Sequence, residues 1–191
     1  MLPRSRLATV ALTTLLAACK GPAVPHPMTG ETRYLCCNLH YEKPEISDAN
    51  YLKGTLIPFG TRVQVLEVKK HSVEFQPAGN PPITLVLKYG KDAISMDEYL
   101  DRLFLREDPH AKLPKPGKDK KQAAAAEHTR KLIEEGEVGP GMTKDEVIMA
   151  LGYPPVHRTP SLSSPNWTYW ANRWATFEVY FDGDKVSRVQ R

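Results

Sequence analysis

Residues 109–121 are expected to lie outside any hydrophobic core and to divide the chain. Lys112, Lys115, Lys118, Lys120 and Lys121 stand there among Pro109, Pro114, Pro116 and Gly117. With almost nothing apolar to bury and a proline every few positions, the segment is expected to stay extended as a solvated linker. Asp119 and the prolines break any basic face that anionic lipid could recognise, and such attraction is screened within about 10 Å in ordinary salt. A chain of 191 residues with 17 prolines and only short apolar runs is therefore expected to fold as two small units, 33–108 and 122–191.

The N-terminus has a different logic. Arg4 and Arg6 precede an apolar run from Leu7 to Ala17, which closes on Leu16-Ala17-Ala18-Cys19. A basic start, a short apolar stretch and small residues before a cleavage point mark a secretory signal. The run is about half the roughly 20 residues a membrane-spanning helix needs, so it reads as an address. It resembles a bacterial lipoprotein signal, with residues 1–18 removed and Cys19 acylated as the first residue of the mature chain. Lys20 follows the cysteine where Asp is absent, which resembles outer-membrane sorting. Residues 19–32, with Gly21, Pro22, Pro25, Pro27 and Gly30, are expected to be a flexible tether.

The formal charge is +4, and Arg4 and Arg6 supply two of those charges. A near-neutral mature chain gives no argument for nucleic acid. Besides Cys19, the cysteines are Cys36 and Cys37, in a stretch from Arg33 to Tyr41 that alternates with the period of a strand. Adjacent strand residues face opposite ways, so Cys37 is expected in the core and Cys36 nearer the surface. A vicinal disulfide or a Cys36/Cys37/His40 metal site is the rival reading, and the metal lacks an obvious fourth ligand.

The first unit reads as β-rich with one helix. Segments Thr61 to Val68, Ser72 to Phe75 and Ile83 to Tyr89 are expected strands, separated by turns at Pro58-Phe59-Gly60 and Pro77 to Pro82. Leu56 to Val63 looks a little like a strand entry in SH3-like small barrels. Ser95 and Glu98 form a capping box with Ile94 and Tyr99 as its staple, and Leu100, Leu103 and Phe104 share a helical face that ends at Asp108-Pro109.

In the second unit, Gln122 to Glu135 is rich in strong helix formers and Gly136 is placed to stop it. Thr143 and Glu146 make a second capping box, flanked by Met142 and Val147, with Lys144 beside the cap at an exposed position. Gly152, Pro154 and Pro155 end that helix. Asn166 to Ala171, Ala175 to Phe181 and Lys185 to Gln190 are expected strands, the last two joined at Asp182-Gly183-Asp184. The fold class is thus α+β: a small β-rich unit with one helix, then two helices and a three-stranded antiparallel sheet.

Gly141-Met142-Thr143-Lys144-Asp145-Glu146-Val147, Leu151-Gly152-Tyr153-Pro154, Trp167 with Tyr169, and Val179 to Val186 follow one another in an order that resembles the SmpA/OmlA domain of BamE-like outer-membrane lipoproteins, over roughly residues 120–191. The resemblance implies a lipoprotein on the periplasmic face of the outer membrane, working without catalysis as a binding or scaffold module in envelope assembly, with subunits of the β-barrel assembly machinery as partners. The chain departs from the compact family pattern in the extra unit of about seventy residues that precedes the domain. A second expectation is a periplasmic inhibitor or envelope-stress protein that blocks a soluble enzyme, similar in outline to β-lactamase-inhibitor-like modules.

Catalytic patterns are missing from the sequence. The histidines have no His-Glu-x-x-His spacing, and neither Gly-x-Ser-x-Gly nor a Gly-rich phosphate loop occurs. No cofactor, metal or small-molecule substrate is expected. The aromatic cluster Trp167, Tyr169, Trp170 and Trp174 offers the best working surface. Alternation sends Trp167 and Tyr169 to the core, leaving Trp170 and Trp174 as candidates to meet a partner.

Overall fold

The computed structural model describes residues 24–191. The expected signal peptide (1–18), the lipidation site Cys19 and the first part of the tether lie outside the described residues. The protein is α+β, and the described residues form three α-helices and eleven strands in three sheets.

The first sheet has six strands. β1 (Thr32–Leu35), β3 (Glu45–Ser47), β5 (Arg62–Lys69), β6 (Ser72–Pro77), β7 (Ile83–Val86) and β8 (Phe104–Leu105) lie in the order β3-β7-β6-β5-β1-β8. All neighbours are antiparallel except β3 and β7. Alternation explains the core: Val63 and Val65, Val73 and Phe75, and Ile83 and Leu85 all point inward from successive strands. β2 (Leu39–Tyr41) and β4 (Thr55–Ile57) pair separately.

The single strand expected from Arg33 to Tyr41 is two strands. Cys36, Cys37 and Asn38 interrupt it, and Cys36 and Cys37 are joined as a vicinal disulfide with both residues buried. The expectation of a surface-leaning Cys36 is corrected: the break in the strand removes the alternation that placed it there. The helix α1 (Met96–Leu103) is also shorter than expected. Phe104 and Leu105 leave it to pair with Leu35 and Tyr34 of β1. Ser95 caps α1 by accepting from the Glu98 N–H, while the Glu98 carboxylate bonds Arg102 at 2.6 Å.

α2 (Lys120–Glu135) and α3 (Lys144–Leu151) follow, and both cover one face of the sheet β11-β10-β9, formed by β9 (Asn166–Asn172), β10 (Ala175–Asp182) and β11 (Lys185–Gln190). α3 starts on a full capping box between Thr143 and Glu146. Trp167, Tyr169, Val179 and Val186 fill the core beneath it.

Two segments expected to be free of the body are packed on it. Within the tether, Met28 is buried, the Gly30 N–H donates to the Val65 carbonyl at 2.8 Å, and His26 meets Asp97 at 3.0 Å. Within 109–121, Pro109–Lys112 form a 3-10 turn with Pro109 buried, and His110 stacks edge-on against Phe59 at 5.4 Å. Arg130 of α2 donates to the Pro114 carbonyl at 2.6 Å, and Leu113 packs against the second core. Pro109 and Leu113 supply apolar contacts among the lysines, and these hold the segment as a strap.

Candidate functional site

Two buried asparagines of the first unit fix how the second sits on it. A helix leaves its last four carbonyls without partners. Asn38 Nδ2 donates to the carbonyls of Ile133 at 2.6 Å and Ala150 at 3.0 Å, near the ends of α2 and α3, while its Oδ1 accepts from the Phe59 N–H at 2.6 Å. Asn50 Nδ2 donates to the Leu151 carbonyl at 2.9 Å, and its Oδ1 accepts from the His40 N–H at 3.2 Å. Gly152 has φ +82°, and a Cβ there would lie 2.9 Å from Asn50 Nδ2, so both its conformation and this close approach require glycine.

This docking brings the hairpin between β9 and β10 beside the edge of the first sheet. Asn172 Oδ1 accepts from the N–H groups of Trp174 and Ala175 at 2.8 and 3.1 Å and shapes the turn. Trp174 projects from it with 85% of its surface exposed, and the Arg173 guanidinium lies 5.2 Å from its ring centroid. Trp170 takes a different place. Its ring meets Tyr51 edge-on at 6.1 Å and Arg158 at 5.9 Å, and its carbonyl accepts from the Leu52 N–H at 3.0 Å. Trp170 is half-buried where the two units meet, whereas Trp174 stands clear.

Between the hairpin and β3 lies a cleft of about 530 Å³, within the usual size of a ligand site. Its walls carry Tyr41, Tyr51, Tyr89 and Trp174, the cations Lys43, Lys53, Lys88 and Arg173, and the carboxylates Glu42 and Glu45. Lys53 pairs with Glu42 at 3.2 Å. The hydroxyls of Tyr51 and Tyr89 are 3.1 Å apart, and burial followed by this hydrogen bond pushes the Tyr51 phenol up to about 12. Lys88 Nζ lies 5.3 Å from the Tyr89 ring centroid, and the His157 ring centroid lies 5.0 Å from it. The cleft is therefore polar, aromatic and rich in positive charge.

Of the sequence-derived candidates, Cys19 lies outside the described residues, Trp174 reaches the cleft, and Trp170 supports the wall behind Tyr51. His40 also lines the cleft, and burial holds its imidazole below the ordinary histidine value. The Cys36/Cys37/His40 metal alternative fails because the two sulfurs are bonded to each other, and no group of three or more His, Cys, Asp or Glu side chains placed to hold a metal occurs among the described residues. Sequence reading missed Tyr51, Tyr89, Lys43, Lys53 and Lys88. They come from loops and strand ends with no shared spacing, so only the three-dimensional fold brings them together.

No protein family, curated protein or solved structure matches this chain. Among the described residues no helix is long and apolar enough to cross a membrane.

Proposed function

We propose that this protein is a lipid-anchored outer-membrane lipoprotein on the periplasmic face, serving as a non-catalytic binding or scaffold module in cell-envelope assembly. The observation that carries this reading is the cleft at Trp174, an exposed aromatic flanked by cations on a body whose two units are tied by buried hydrogen bonds. Exposed tryptophan and arginine are the side chains most often found at binding hot spots. The signal-like start at Leu16 to Cys19 supplies the anchor, and the SmpA/OmlA-like order of motifs in 120–191 supports a partner among the subunits that insert β-barrel proteins.

The test is fractionation and capture with the wild-type chain, Cys19→Ser and Trp174→Ala. Lipid label and outer-membrane retention are expected for the wild type and lost in Cys19→Ser, because the thiol carries the acyl chain. Barrel-assembly subunits are expected to co-purify with the wild type and to fall at least tenfold with Trp174→Ala. Retention in the inner membrane, absence of lipid label, or capture of a soluble hydrolase instead of envelope subunits refutes this reading.

A further inference from the structure

We infer that the cleft takes an extended acidic peptide, which adds as a strand to the free edge of β3; the inference rests on the binding-module reading and names its ligand class. β3 is the outermost strand of its sheet. Its inner side is identified by two hydrogen bonds: the Thr84 N–H donates to the Pro44 carbonyl at 2.7 Å, and the Asp48 N–H donates to the Val86 carbonyl at 3.1 Å. A parallel ladder uses alternate residues of a strand, so Pro44, Ile46 and Asp48 face β7, while Glu45 and Ser47 turn their peptide groups the other way. The Ser47 carbonyl accepts from the Asn50 N–H at 3.0 Å. The Glu45 N–H, the Glu45 carbonyl and the Ser47 N–H are left open on the side of the cleft.

Exposed edges are usually shortened, bulged or covered, because they template further pairing. Here the edge opens into a cleft, and Trp174 forms part of the facing wall. The two free N–H groups are two residues apart, about 6.6 Å along a strand, which is the repeat at which an extended peptide presents alternate carbonyls. A sugar or a mononucleotide has no such repeat. The charge sets the ligand's sign. Lys43, Lys88 and Arg173 form no ion pair among the described residues; Glu42 is already engaged by Lys53, which leaves these three cations against the single unpaired carboxylate of Glu45. Carboxylates alternating along a bound strand would meet these cations, and the exposed indole of Trp174 gives the peptide an apolar surface to lie on.

The experiment uses the full chain in detergent and a fluorescein-labelled heptapeptide, Glu-Val-Glu-Val-Glu-Val-Glu with blocked ends. Anisotropy should report binding that is at least tenfold weaker for the Lys-Val analogue and for the double variant Lys88→Glu/Arg173→Glu, whose melting temperature should match the wild type because both side chains are on the surface. Amide hydrogen exchange followed by NMR should slow at least tenfold at Glu45 and Ser47 when the peptide is added, while Ile46 and Asp48, already bonded to β7, change little. Failure of the acidic peptide to bind, equal binding of the lysine analogue, or unchanged exchange at Glu45 and Ser47 overturns the proposal. A single-stranded thymidine oligomer that binds as tightly and is lost in the same double variant overturns the peptide assignment. If the peptide fails while the lipidated wild type still captures envelope subunits, the ligand class is wrong and the binding-module reading stands.

Discussion

The side-chain amide of Asn38 donates to the carbonyl of Ala150 across 112 positions of sequence, at 3.0 Å and fully inside the protein. One primary amide thereby serves the ends of two helices and, through its oxygen, the Phe59 N–H. Truncation to alanine orphans the Ala150 carbonyl and the Phe59 N–H, while the Ile133 carbonyl keeps the Gly136 N–H at 3.2 Å. Each buried group left without a partner costs about 1–3 kcal/mol, so Asn38→Ala, which orphans two, should lose about 2–6 kcal/mol. Asn38→Asp should melt lower still at neutral pH, since a carboxylate has no proton to offer two carbonyls. Denaturant unfolding of the three proteins measures both effects, and a wild-type midpoint for either variant would show that the amide is not the tie.

Thr143 and Lys144 separate what a helix start reveals locally from what it hides. The Thr143 hydroxyl accepts from the Glu146 N–H at 3.3 Å, so Thr143→Ala should cost about 1 kcal/mol. Lys144, which the sequence places at an indifferent surface position, reaches over the loop and donates to the carbonyls of Leu162 at 2.9 Å and Ser164 at 3.4 Å. Its ammonium also lies 5.1 Å from the Phe181 ring centroid and 5.5 Å from that of Trp167. Lys144→Ala should therefore cost about 1 kcal/mol as well, from hydrogen bonds and cation–π attraction together. Lys144→Met retains the aliphatic stem, and if it melts like the wild type the charge contributes nothing.

What was legible in the chain follows the range of the forces involved. Thr143, Glu146 and Gly152 state the limits of α3 because capping acts within four residues. Phe177, Val179 and Phe181 declare their inward face because alternation is a property of the strand itself. Asn38 and Asn50 carry no local mark of their task, since the carbonyls they satisfy belong to helices about a hundred positions away. The same distance hides the cleft: Lys43, Lys88 and Arg173 are ordinary surface residues until the asparagines dock one unit on the other. Phe104 looked helical from its spacing, and its pairing with Leu35 decided otherwise.

Acid should weaken this protein in a way His40 partly controls. Burial lowers the His40 pKa, and its Nδ1 is buried without a hydrogen-bond partner. The unfolded chain, with histidine near 6.5, then binds more protons than the folded chain as pH falls below that value. The stability due to neutral His40 is present above about pH 6.5 and is lost as pH drops through the lower folded value. His157 shifts in the same direction, also through burial. His40→Gln should thus melt with a smaller change than the wild type between about pH 8 and about pH 5. Parallel melting curves for the two proteins across that range would exclude the histidine.

The vicinal disulfide makes a chemical prediction. Cys36 and Cys37 are bonded to each other and buried. Iodoacetamide applied to the unfolded protein without reductant should leave both unmodified, and the tryptic peptide that carries them should be two hydrogens lighter than the dithiol. After reduction the same peptide should take up two alkyl groups. Alkylation of either cysteine before reduction would show free thiols at that position.

Trp170 and Trp174 should fail in opposite ways when truncated. Trp170 stands where the units meet, edge-on to Tyr51, so its removal leaves a void between β9 and the chain around Leu52. Large-to-small changes of a well-packed aromatic cost about 3–5 kcal/mol, and a half-buried ring should give roughly half of that. Trp174 has almost no neighbours to lose, so Trp174→Ala should shift stability by no more than about 0.5 kcal/mol while weakening whatever the cleft binds. Thermal melts with binding measured on the same preparations decide the matter. A stable Trp170→Ala that has lost its partner, or a Trp174→Ala that unfolds early, would reverse the assignment of the two indoles and move the binding surface from the hairpin turn to Trp170 on β9.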